Sequence, residues 1–465
     1  MKKHPEILEE LQNALADRSQ PAYLLIAEFI EEKIREGMLK RDDQLPTLRD
    51  MAAALHLDYT TVARAYHELQ HRGLIASKSG VGSYIKVENT ADAVPSSDLI
   101  EMTMNVAPEP QEPEILGRMR HGIRHVTEQG NFHRLTRYQE LGGNEDARAA
   151  AATWLEGLYP AQTGQTVLIT PGIQATLNSL MLALVGVGGT LCAEGTTYPG
   201  VKTMARHFGI KTIGLRSDNE GILPDDLEAQ CRIHTVKALY LNPTIQNPTT
   251  RTISENRRFE IAAVARQFGL KIIEDDPYNK LMKSPPPTFA NIVPELTYYV
   301  SGLSKTVGAG LRIGFLVCPN ANETNRLAST LRASEIMASP LCIAVATQWI
   351  LDGTAQLCLQ SIQTMSQKRQ LLAKRTLGDF NIETNPEGFH LWLNLPSYWT
   401  HSAFCSRLLS RGITTASAEM FCLQGTTPNS VRLCLGGNLN EDRVEHALQI
   451  IAETVSHMPR KSEQA

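Results

Sequence analysis

The chain has 465 residues, of which 42% are hydrophobic and 20% charged, as in an ordinary soluble globular protein built from more than one domain. Its net charge of −4 means that any affinity for nucleic acid has to come from a local basic patch. None of the eight cysteines forms a CxxC pair, so we expect neither a disulfide framework nor a metal site, and a reducing cytoplasm is the expected location. The first ten residues lack the apolar core of a signal peptide, and the longest apolar runs are too short to span a bilayer.

Helical periodicity and turn residues in the first ninety residues predict three helices with a tight turn before the last, and then a hairpin. An additional short amphipathic helix is expected before them, over residues 7–15. The three helices are expected from Pro21 to Gly37, over 45–55 with Thr47 as N-cap, and over 60–72. Residues 74–87 alternate about a glycine turn, which is typical of a β-hairpin. Together these elements describe a winged helix-turn-helix over residues 1–87.

The recognition helix of this arrangement would begin near Thr60. It would direct Thr60, Thr61 and Arg64 toward the major groove, while Lys78 and Lys86 flank the wing and could contact phosphate. Residues 33–87 carry nine lysines and arginines against six acids, a net charge of +3. A small helical domain for protein contacts is the alternative, which charge alone does not exclude.

A polar stretch over residues 88–98 without hydrophobic periodicity predicts a short linker. From residue 99 onward apolar strands alternate with amphipathic helices, which predicts an α/β domain with a large parallel sheet. After about residue 320 the pattern changes to a long helical stretch and then to a smaller α+β part. Residues 99–465 are therefore expected to form one large domain with a small C-terminal subdomain.

One stretch of the large domain, residues 301–315, predicts a ligand site. Lys305 stands among small residues that let a bulky planar ligand reach its amine, and Arg312 follows as a fixed fork for a phosphate. A desolvated lysine with a cationic neighbour has a lowered pKa and can form a Schiff base. An aldehyde together with a phosphate suggests pyridoxal 5'-phosphate (PLP). A glycine- and serine-rich loop with two solvated cations is the alternative.

A second stretch, residues 169–177, leaves a strand and opens a helix. The amides of Gly172, Ile173 and Gln174 would face a phosphate at the positive end of that helix. An ordinary Pro-Gly turn explains the same residues.

The order and spacing of these motifs carry a family resemblance. Residues 302–305 resemble the lysine motif of fold-type I, class I aminotransferases, and the short spacing from Lys305 to Arg312 looks like the MocR-type branch of the GntR family. Members of that branch are bacterial transcription factors with an aminotransferase-like domain. The segments 45–49, 60–66, 69–75 and 80–85 resemble the GntR pattern, which implies Arg49 and Arg64 as base or phosphate contacts, with Thr47 beside them.

The resemblance also implies cofactor roles for individual residues. Lys305, preceded by Ser304, would hold PLP as a Schiff base, and Asp275 would keep the pyridine nitrogen protonated. Lys305, Asp275 and Tyr278 are then the expected catalytic residues. Further implied contacts are the ring stack of Tyr198, the bonds of Asn247 and Tyr278 to the phenolic oxygen, and the phosphate contact of Arg312.

Two further residues concern the ligand and the partner subunit. Arg432 resembles the arginine that binds a substrate α-carboxylate, and Tyr138 resembles the tyrosine that reaches the phosphate of the partner subunit in a homodimer. Taken singly, each implied residue also has a structural explanation. The alternatives are a Tyr-Pro turn for Tyr198, a proline-ordered turn for Asn247, a capping acidic cluster for Asp275, a surface arginine for Arg432 and a core tyrosine for Tyr138.

The chain departs from the aminotransferase pattern at two positions. Gly302 stands where many aminotransferases carry a serine, and Ile173 replaces a small polar residue, so that position can offer the phosphate only its amide. Both changes would weaken cofactor affinity without abolishing it.

The sequence therefore predicts a PLP-dependent, DNA-binding transcriptional regulator. Its aminotransferase-like domain would sense a small amino-containing effector or PLP itself. The alternative is a working class I aminotransferase with an accessory N-terminal DNA-binding domain, and residual transaminase activity is compatible with both. A regulator that has lost PLP is a third hypothesis, against which the complete residue set argues.

Overall fold

The computed structural model describes residues 10–12, 14–15, 21–35, 38–39, 43–71, 74–78, 82–85, 99–129, 132–160 and 167–458. It divides into two compact units. We call residues 1–99 with 410–412 the N-terminal unit, and residues 100–409 with 413–465 the C-terminal unit. Residues 7–9 and 13 of the helix predicted over residues 7–15, together with Gly37, Lys86 and the linker 88–98, lie outside the described residues.

The N-terminal unit is a winged helix-turn-helix, as predicted. Helices α1 (Ala22–Arg35), α2 (Leu48–Leu55) and α3 (Tyr59–His71) precede a hairpin of β1 (Ile75–Lys78) and β2 (Gly82–Ile85). The two strands are antiparallel. Side chains from all three helices and from both strands form one core.

The prediction that α2 begins at Leu45 is wrong. The amide of Leu45 donates to the carbonyl of Ser83 at 2.9 Å, so the residues before α2 pair with the wing instead. The helix starts three residues later because the Thr47 side chain accepts from the Asp50 amide at 3.2 Å, which confirms Thr47 as the N-cap.

A seven-stranded sheet forms the centre of the C-terminal unit, in the order β4-β12-β11-β10-β9-β5-β6. Its strands are β4 (Val167–Thr170), β5 (Thr190–Glu194), β6 (Lys211–Leu215), β9 (Val236–Leu241), β10 (Lys271–Asp275), β11 (Thr297–Gly302) and β12 (Gly314–Val317). Two short strands, β7 (Ser217–Asp218) and β8 (Gly221–Ile222), form a separate hairpin. The expectation of a fully parallel sheet needs one correction, because β12 runs antiparallel to both of its neighbours.

The larger part of this unit also contains helices, numbered in chain order. They are α4 (Pro113–Glu128), α5 (His133–Thr136), α6 (Glu145–Trp154), α7 (Ile173–Leu180), α8 (Pro199–His207), α9 (Pro224–Ile233), α10 (Glu255–Phe268), α11 (Phe289–Ile292), α12 (Ala321–Glu335), α13 (Pro340–Leu351) and α14 (Thr354–Leu377). Alternate strand residues enter opposite cores. In β4, for example, Leu168 packs in one cluster while Val167 and Ile169 pack in another. A sheet buried on both faces explains why the strands are almost entirely apolar.

The C-terminal part forms a smaller α+β subdomain, as predicted. Its four-stranded antiparallel sheet has the order β13 (Ile382–Thr384), β14 (His390–Asn394), β17 (Ser430–Cys434), β16 (Ala416–Ser417). Helices α15 (His401–Ser410) and α16 (Glu441–Ser456) belong to this part of the chain. A strand from the beginning of the domain, β3 (Ile100–Glu101), pairs in parallel with β15 (Ile413–Thr414). The core of the subdomain therefore includes Ile100 and Met102, which sequence periodicity did not assign to it.

Candidate functional site

Most of the expected site residues lie at the ends of the central strands. Asp275 is the last residue of β10, Asn247 follows β9, and Gly172 follows β4. Lys305 ends the short 3-10 turn Leu303–Lys305, which comes directly after β11. The carboxyl ends of parallel strands meet at one edge of a sheet, so the topology gathers residues from four separate segments.

Asp275 is buried, and one of its carboxylate oxygens has no partner. Its Oδ2 accepts a hydrogen bond from the hydroxyl of Tyr240 at 2.6 Å, whereas Oδ1 is buried without any hydrogen bond. Burial raises the pKa of Asp275 to about 7, the Tyr240 bond opposes the shift, and the nearby charge of Asp276 adds to it. A buried, unpaired carboxylate oxygen is an acceptor prepared for a donor.

The two acids next to Asp275 have structural roles. Glu274 accepts from the amides of Phe289 and Ala290, each at 2.9 Å. Asp276 accepts from Thr244 at 3.1 Å and from Asn279 at 2.9 Å. The explanation as a capping cluster therefore fits Glu274, which caps α11, and does not fit Asp275. Since neighbouring strand side chains point to opposite faces, Asp275 is directed away from both.

Lys305 carries an amine that is partly shielded from solvent. Burial lowers the pKa of Lys305 to about 8, and the guanidinium groups of Arg432 and Arg312 act in the same direction. Asp275 lies close enough to oppose that shift. The Lys305 Nζ donates to the backbone carbonyl of Asn105. The solvated loop lysine of the alternative explanation does not describe this residue.

Arg432 is also buried and faces the same site. It lies in β17, is 4% exposed, and donates from Nη1 to the Oδ1 of Asn247 at 2.9 Å. A second donor, Nη2, bonds the carbonyl of Thr103, and Nε has no partner. Asn247 is held in turn by its backbone amide, which donates to Oδ1 of Asn242 at 2.8 Å. A surface arginine would show none of this, so that alternative is wrong for Arg432.

Two polar residues that sequence reasoning missed complete the surroundings of Tyr278. Asn105 donates from Nδ2 to the hydroxyl of Tyr278 at 2.9 Å, and its side chain lies 3.5 Å from the ring of His390. His390 is fully buried, and burial lowers its pKa to about 3, so its imidazole is neutral. The only sequence signal was a polar residue following an apolar alternation at 100–104, which is too common to single out Asn105.

The start of α7 and Arg312 lie side by side, as a phosphate site requires. Gly172 is the N-cap with φ 96° and gives the helix no side-chain cap, so the first amides remain available. A Cβ on Gly172 would lie 3.0 Å from an Arg312 guanidinium nitrogen. Ile173 is the first helical residue.

Tyr198 and Gln174 extend this corner of the site. The Tyr198 hydroxyl donates to Oε1 of Gln174 at 2.7 Å, which fixes the side chain of Gln174 beside the ring. Burial raises the pKa of Tyr198 to about 12, and Asp275 and Arg312 both lie near enough to influence it. The adjacent Gly200 is needed because a Cβ there would lie 2.2 Å from the Tyr198 ring.

The remaining expected residues differ in exposure. Ser304 is half-buried in the turn before Lys305. Tyr138 is 77% exposed, which rules out the core tyrosine of the alternative explanation. Close packing excludes a side chain at Gly302, because a Cβ there would lie 2.8 Å from the carbonyl oxygen of Ile313. A serine at that position would require the backbone to shift.

The residues expected to contact DNA lie on exposed parts of the N-terminal unit. Thr60 and Arg64 are exposed on α3, Thr61 is half-buried beside them, and Thr47 and Arg49 are exposed at the start of α2. The guanidinium carbon of Arg64 lies 4.3 Å from the ring centroid of Tyr23 in α1, a cation–π contact.

The two wing lysines are described less fully. Lys78 ends β1, whereas Lys86 lies outside the described residues.

Comparisons with known proteins identify both units. The family model for bacterial regulatory proteins of the gntR family matches residues 22–85. The chain is 24% identical over 438 residues to the HTH-type transcriptional regulator YdeF of Bacillus subtilis, covering 93% of this chain and 94% of that protein. It is 26% identical over 431 residues to the vitamin B6 salvage pathway transcriptional repressor PtsJ of Salmonella typhimurium, covering 90% and 95%.

Solved structures give the fold of the larger unit. The crystal structure of LysN, the alpha-aminoadipate aminotransferase of Thermus thermophilus complexed with N-(5'-phosphopyridoxyl)-L-leucine, superposes with a TM-score of 0.70 at 19% identity, covering 77% of this chain and 92% of that one. Within the described ranges, no single helix combines the length and the apolar character needed to cross a membrane, and α13 and α14 reach them only together, across a 79° bend. The chain thus combines a winged helix-turn-helix that matches the gntR family model with a larger unit that has the fold of aminotransferases, the arrangement expected from the MocR-type resemblance.

Proposed function

We propose that this chain is a cytoplasmic transcriptional regulator that binds operator DNA through its N-terminal unit and holds PLP on Lys305. The observation that carries the proposal is a lysine with a pKa of about 8, in the same buried site as the unpaired Oδ1 of Asp275. Perturbed titratable groups of this kind gather at functional sites. YdeF and PtsJ, whose sequence matches span nine tenths of the chain, are regulators, which favours regulation over metabolic transamination.

The residues of the site match the chemical groups of PLP, namely its ring nitrogen, its phosphate, its ring face and its phenolic oxygen. The unpaired Oδ1 of Asp275 matches a pyridine N–H, and the open start of α7 beside Arg312 matches a phosphate. The ring of Tyr198, whose pKa responds to the charges of both Asp275 and Arg312, matches an aromatic stack. Asn247 and Tyr278 supply polar groups near Arg432 for the phenolic oxygen.

When bound, PLP supplies an aldehyde that captures amines and a ring that withdraws electrons. The chain's own residues set the conditions for that capture. Burial keeps a useful fraction of the Lys305 amine neutral and therefore nucleophilic near neutral pH. Asp275, once ionised opposite a cationic ring nitrogen, stabilises that charge in a buried site.

The effector is proposed to be a small amine that carries a carboxylate. Arg432 can grip a carboxylate with two parallel hydrogen bonds, and its Nε is buried without a partner. Capture of the amine at the position of Lys305 and of the carboxylate at Arg432 would fix such a molecule in one orientation. PLP alone remains the second candidate effector, because it fills the site without using Arg432.

The functional species is proposed to be a homodimer. Tyr138, an exposed large aromatic side chain, has the exposure that a contact with a partner subunit's phosphate requires. A dimer would also present two winged helices to a two-part operator, which raises the effective concentration of the second binding event.

The absorbance spectrum of the purified full chain tests the cofactor assignment. We expect PLP to give a visible band that borohydride removes while fixing the cofactor covalently on Lys305, and Lys305→Ala to abolish both effects. Failure of the wild-type chain to bind PLP at saturating concentration would overturn the proposal. A steady-state assay with amino donors and keto acids separates the enzyme alternative, since a metabolic enzyme turns over at about 1 per second or faster.

A further inference from the structure

A segment of the chain itself, Thr103–Asn105, supplies backbone carbonyls that accept hydrogen bonds from the cationic side chains of the Lys305 site. The amine of Lys305 donates to the carbonyl of Asn105, and the guanidinium of Arg432 donates to the carbonyl of Thr103. These are the two cations to which the proposed function assigns the amine and the carboxylate of the effector. A ligand carboxylate at Arg432 therefore competes with a backbone carbonyl for the same N–H groups.

The side chain of Asn105 holds this segment in the site, although only one of its two polar atoms has a hydrogen-bond partner. Its Nδ2 donates to Tyr278 at 2.9 Å, but its Oδ1 is buried without a partner. A buried oxygen without a hydrogen bond makes the docked arrangement less stable than a fully paired one. The segment is thus held through Tyr278, while its one unpaired buried oxygen favours displacement.

Backbone hydrogen bonds on both sides limit the movement to a few residues. Met102 donates its amide to the carbonyl of Thr414 at 3.2 Å and accepts from the amide of Cys434 at 3.0 Å. On the other side, the carbonyl of Ala107 accepts from the amide of Gly437 at 3.1 Å. Release of the segment is therefore a local change at residues 103–106 rather than an unfolding of the subdomain.

Glu101 connects the segment to the start of the domain. Its Oε1 accepts from the amides of Thr103 at 2.6 Å and Met104 at 3.1 Å. Glu101 lies in β3, the first strand after the stretch that follows the winged helix. Any shift of Thr103 and Met104 changes both of their hydrogen bonds to Glu101. Such a shift therefore reaches β3, which follows the stretch 88–98 in sequence.

We propose that Thr103–Asn105 is an internal competitor of the effector, and that a carboxylate at Arg432 releases it and so alters the Glu101 contacts in β3. This inference rests on the proposed function, because it needs Lys305 and Arg432 to be the ligand-binding groups. It also decides between the two candidate effectors, because PLP or an amine without a carboxylate leaves Thr103 bonded to Arg432.

The first test compares two probes on the full chain freed of cofactor. Phosphopyridoxyl-L-alanine carries a carboxylate, and pyridoxamine phosphate lacks one. We expect the alanine adduct to speed amide hydrogen exchange at residues 103–105, and pyridoxamine phosphate to leave the exchange of the Thr103 and Met104 amides unchanged. Equal exchange with both probes, or slower exchange with the adduct, would overturn the proposal.

The second test weakens the segment by substitution. Glu101→Gln removes the carboxylate charge and so weakens the hydrogen bonds from the Thr103 and Met104 amides, and Asn105→Ala removes the bond to Tyr278. Each variant should therefore tighten binding of the alanine adduct about three- to tenfold, the range expected for one or two hydrogen bonds. Glu101→Gln should leave the affinity for pyridoxamine phosphate within twofold of wild type. It should also speed exchange at Thr103 and Met104 before any ligand is added, which a purely electrostatic effect on Arg432 would not do.

Glu109→Gln is the matched control, because it removes the same charge from an exposed side chain farther along the chain. We expect it to bind both probes as wild type does. Unchanged or weaker adduct binding in both Glu101→Gln and Asn105→Ala shows that the segment supports the ligand rather than competing with it, and the proposal then fails. If wild type binds neither probe nor PLP, the proposed function fails instead, so the two failures are distinguishable.

Discussion

At the scale of single residues, burial acts in opposite directions on the acid and the base of the site. It lowers the pKa of Lys305 to about 8 and raises that of Asp275 to about 7, because a site shielded from water disfavours the charged form of each. Neither shift can be derived from sequence, since both depend on what surrounds the side chains. What sequence could supply was the identity of the two residues, through the motifs around them.

The pKa of Lys305 predicts how cofactor capture depends on pH. With a pKa of about 8, about a tenth of the amine is neutral at pH 7 and about half at pH 8, whereas at the ordinary pKa of 10.5 about one molecule in 3,000 is neutral at pH 7. Because the shift is downward, capture should accelerate about fivefold from pH 7 to pH 8 and level off above pH 9. Stopped-flow absorbance on the cofactor-free chain measures this rate, and a rate still rising tenfold per pH unit at pH 9 would contradict the lowered pKa.

Asp275 should matter more for chemistry than for binding. We predict that Asp275→Ala slows any transfer of an amino group to the cofactor by a larger factor than it weakens PLP affinity, since the carboxylate acts on charge that develops during the reaction, a contribution worth several kcal/mol. Single-turnover absorbance changes with an amino acid donor give the rate, and equilibrium titration gives the affinity. Equal losses in the two quantities would argue against this role.

Arg64 should read DNA with help from Tyr23. We predict that Arg64→Ala costs about 1–3 kcal/mol of operator binding and relaxes sequence preference, as a base-edge contact would. Tyr23→Leu removes the ring beneath the guanidinium and should cost about 0.5–1 kcal/mol, whereas Tyr23→Phe retains the ring and should bind nearly as wild type. Anisotropy titrations with an upstream promoter fragment distinguish the three variants. Identical losses for Leu and Phe at position 23 would show that the ring does not position Arg64.

At the scale of elements, sequence patterns located the motifs well where chain neighbours decide the structure. The wing, the N-cap at Thr47 and the strand preceding Lys305 all follow from residues close in sequence. The errors occurred where distant residues decide. The residues around Leu45 pair with the wing, and β12 enters the sheet antiparallel, neither of which local periodicity reports.

The same limit explains why Asn105 and His390 were missed. Asn105 reaches Tyr278 across 173 positions of sequence, and His390 contacts the carbonyl of Gln246 across 144 positions. Neither residue belongs to a motif with a spacing that could be recognised in one chain. Lys305 was expected from its own stretch of sequence, whereas Asp275, Asn247 and Arg432 were expected because the family resemblance supplied the long-range information.

The helix start at Gly172 and the side chain of Arg312 predict how the chain would hold a phosphate. Arg312→Gln removes a charged donor pair and should weaken PLP binding about 10- to 100-fold, the equivalent of about 1.5–3 kcal/mol for bonds to a charged group. Arg312→Lys restores the charge without the fork and should recover part of that loss. Equilibrium titration of cofactor fluorescence measures the affinity of the wild type and of both variants. An Arg312→Gln variant that binds PLP as tightly as wild type would show that the phosphate does not bind beside Arg312.

At the scale of the whole molecule, the proposed homodimer makes a specific prediction about site assembly. If Tyr138 completes the partner subunit's phosphate site, Tyr138→Phe and Lys305→Ala damage different parts of each site. Mixing the two variants should produce heterodimers in which one site has lost both residues and the other has kept both. PLP bound tightly by the mixture should then exceed the sum from the separate variants, and simple additivity would count against a shared site.

The central claim joins the two units, because it states that occupancy of Lys305 changes DNA binding. The most direct measurement is the binding isotherm of the full chain on its upstream promoter fragment, with and without PLP, for wild type and Lys305→Ala. Allosteric coupling typically changes affinity about 5- to 150-fold, so PLP should shift the wild-type dissociation constant by at least about fivefold and leave that of Lys305→Ala unchanged. An identical isotherm for wild type with and without PLP, or the same PLP response in both proteins, would contradict the account.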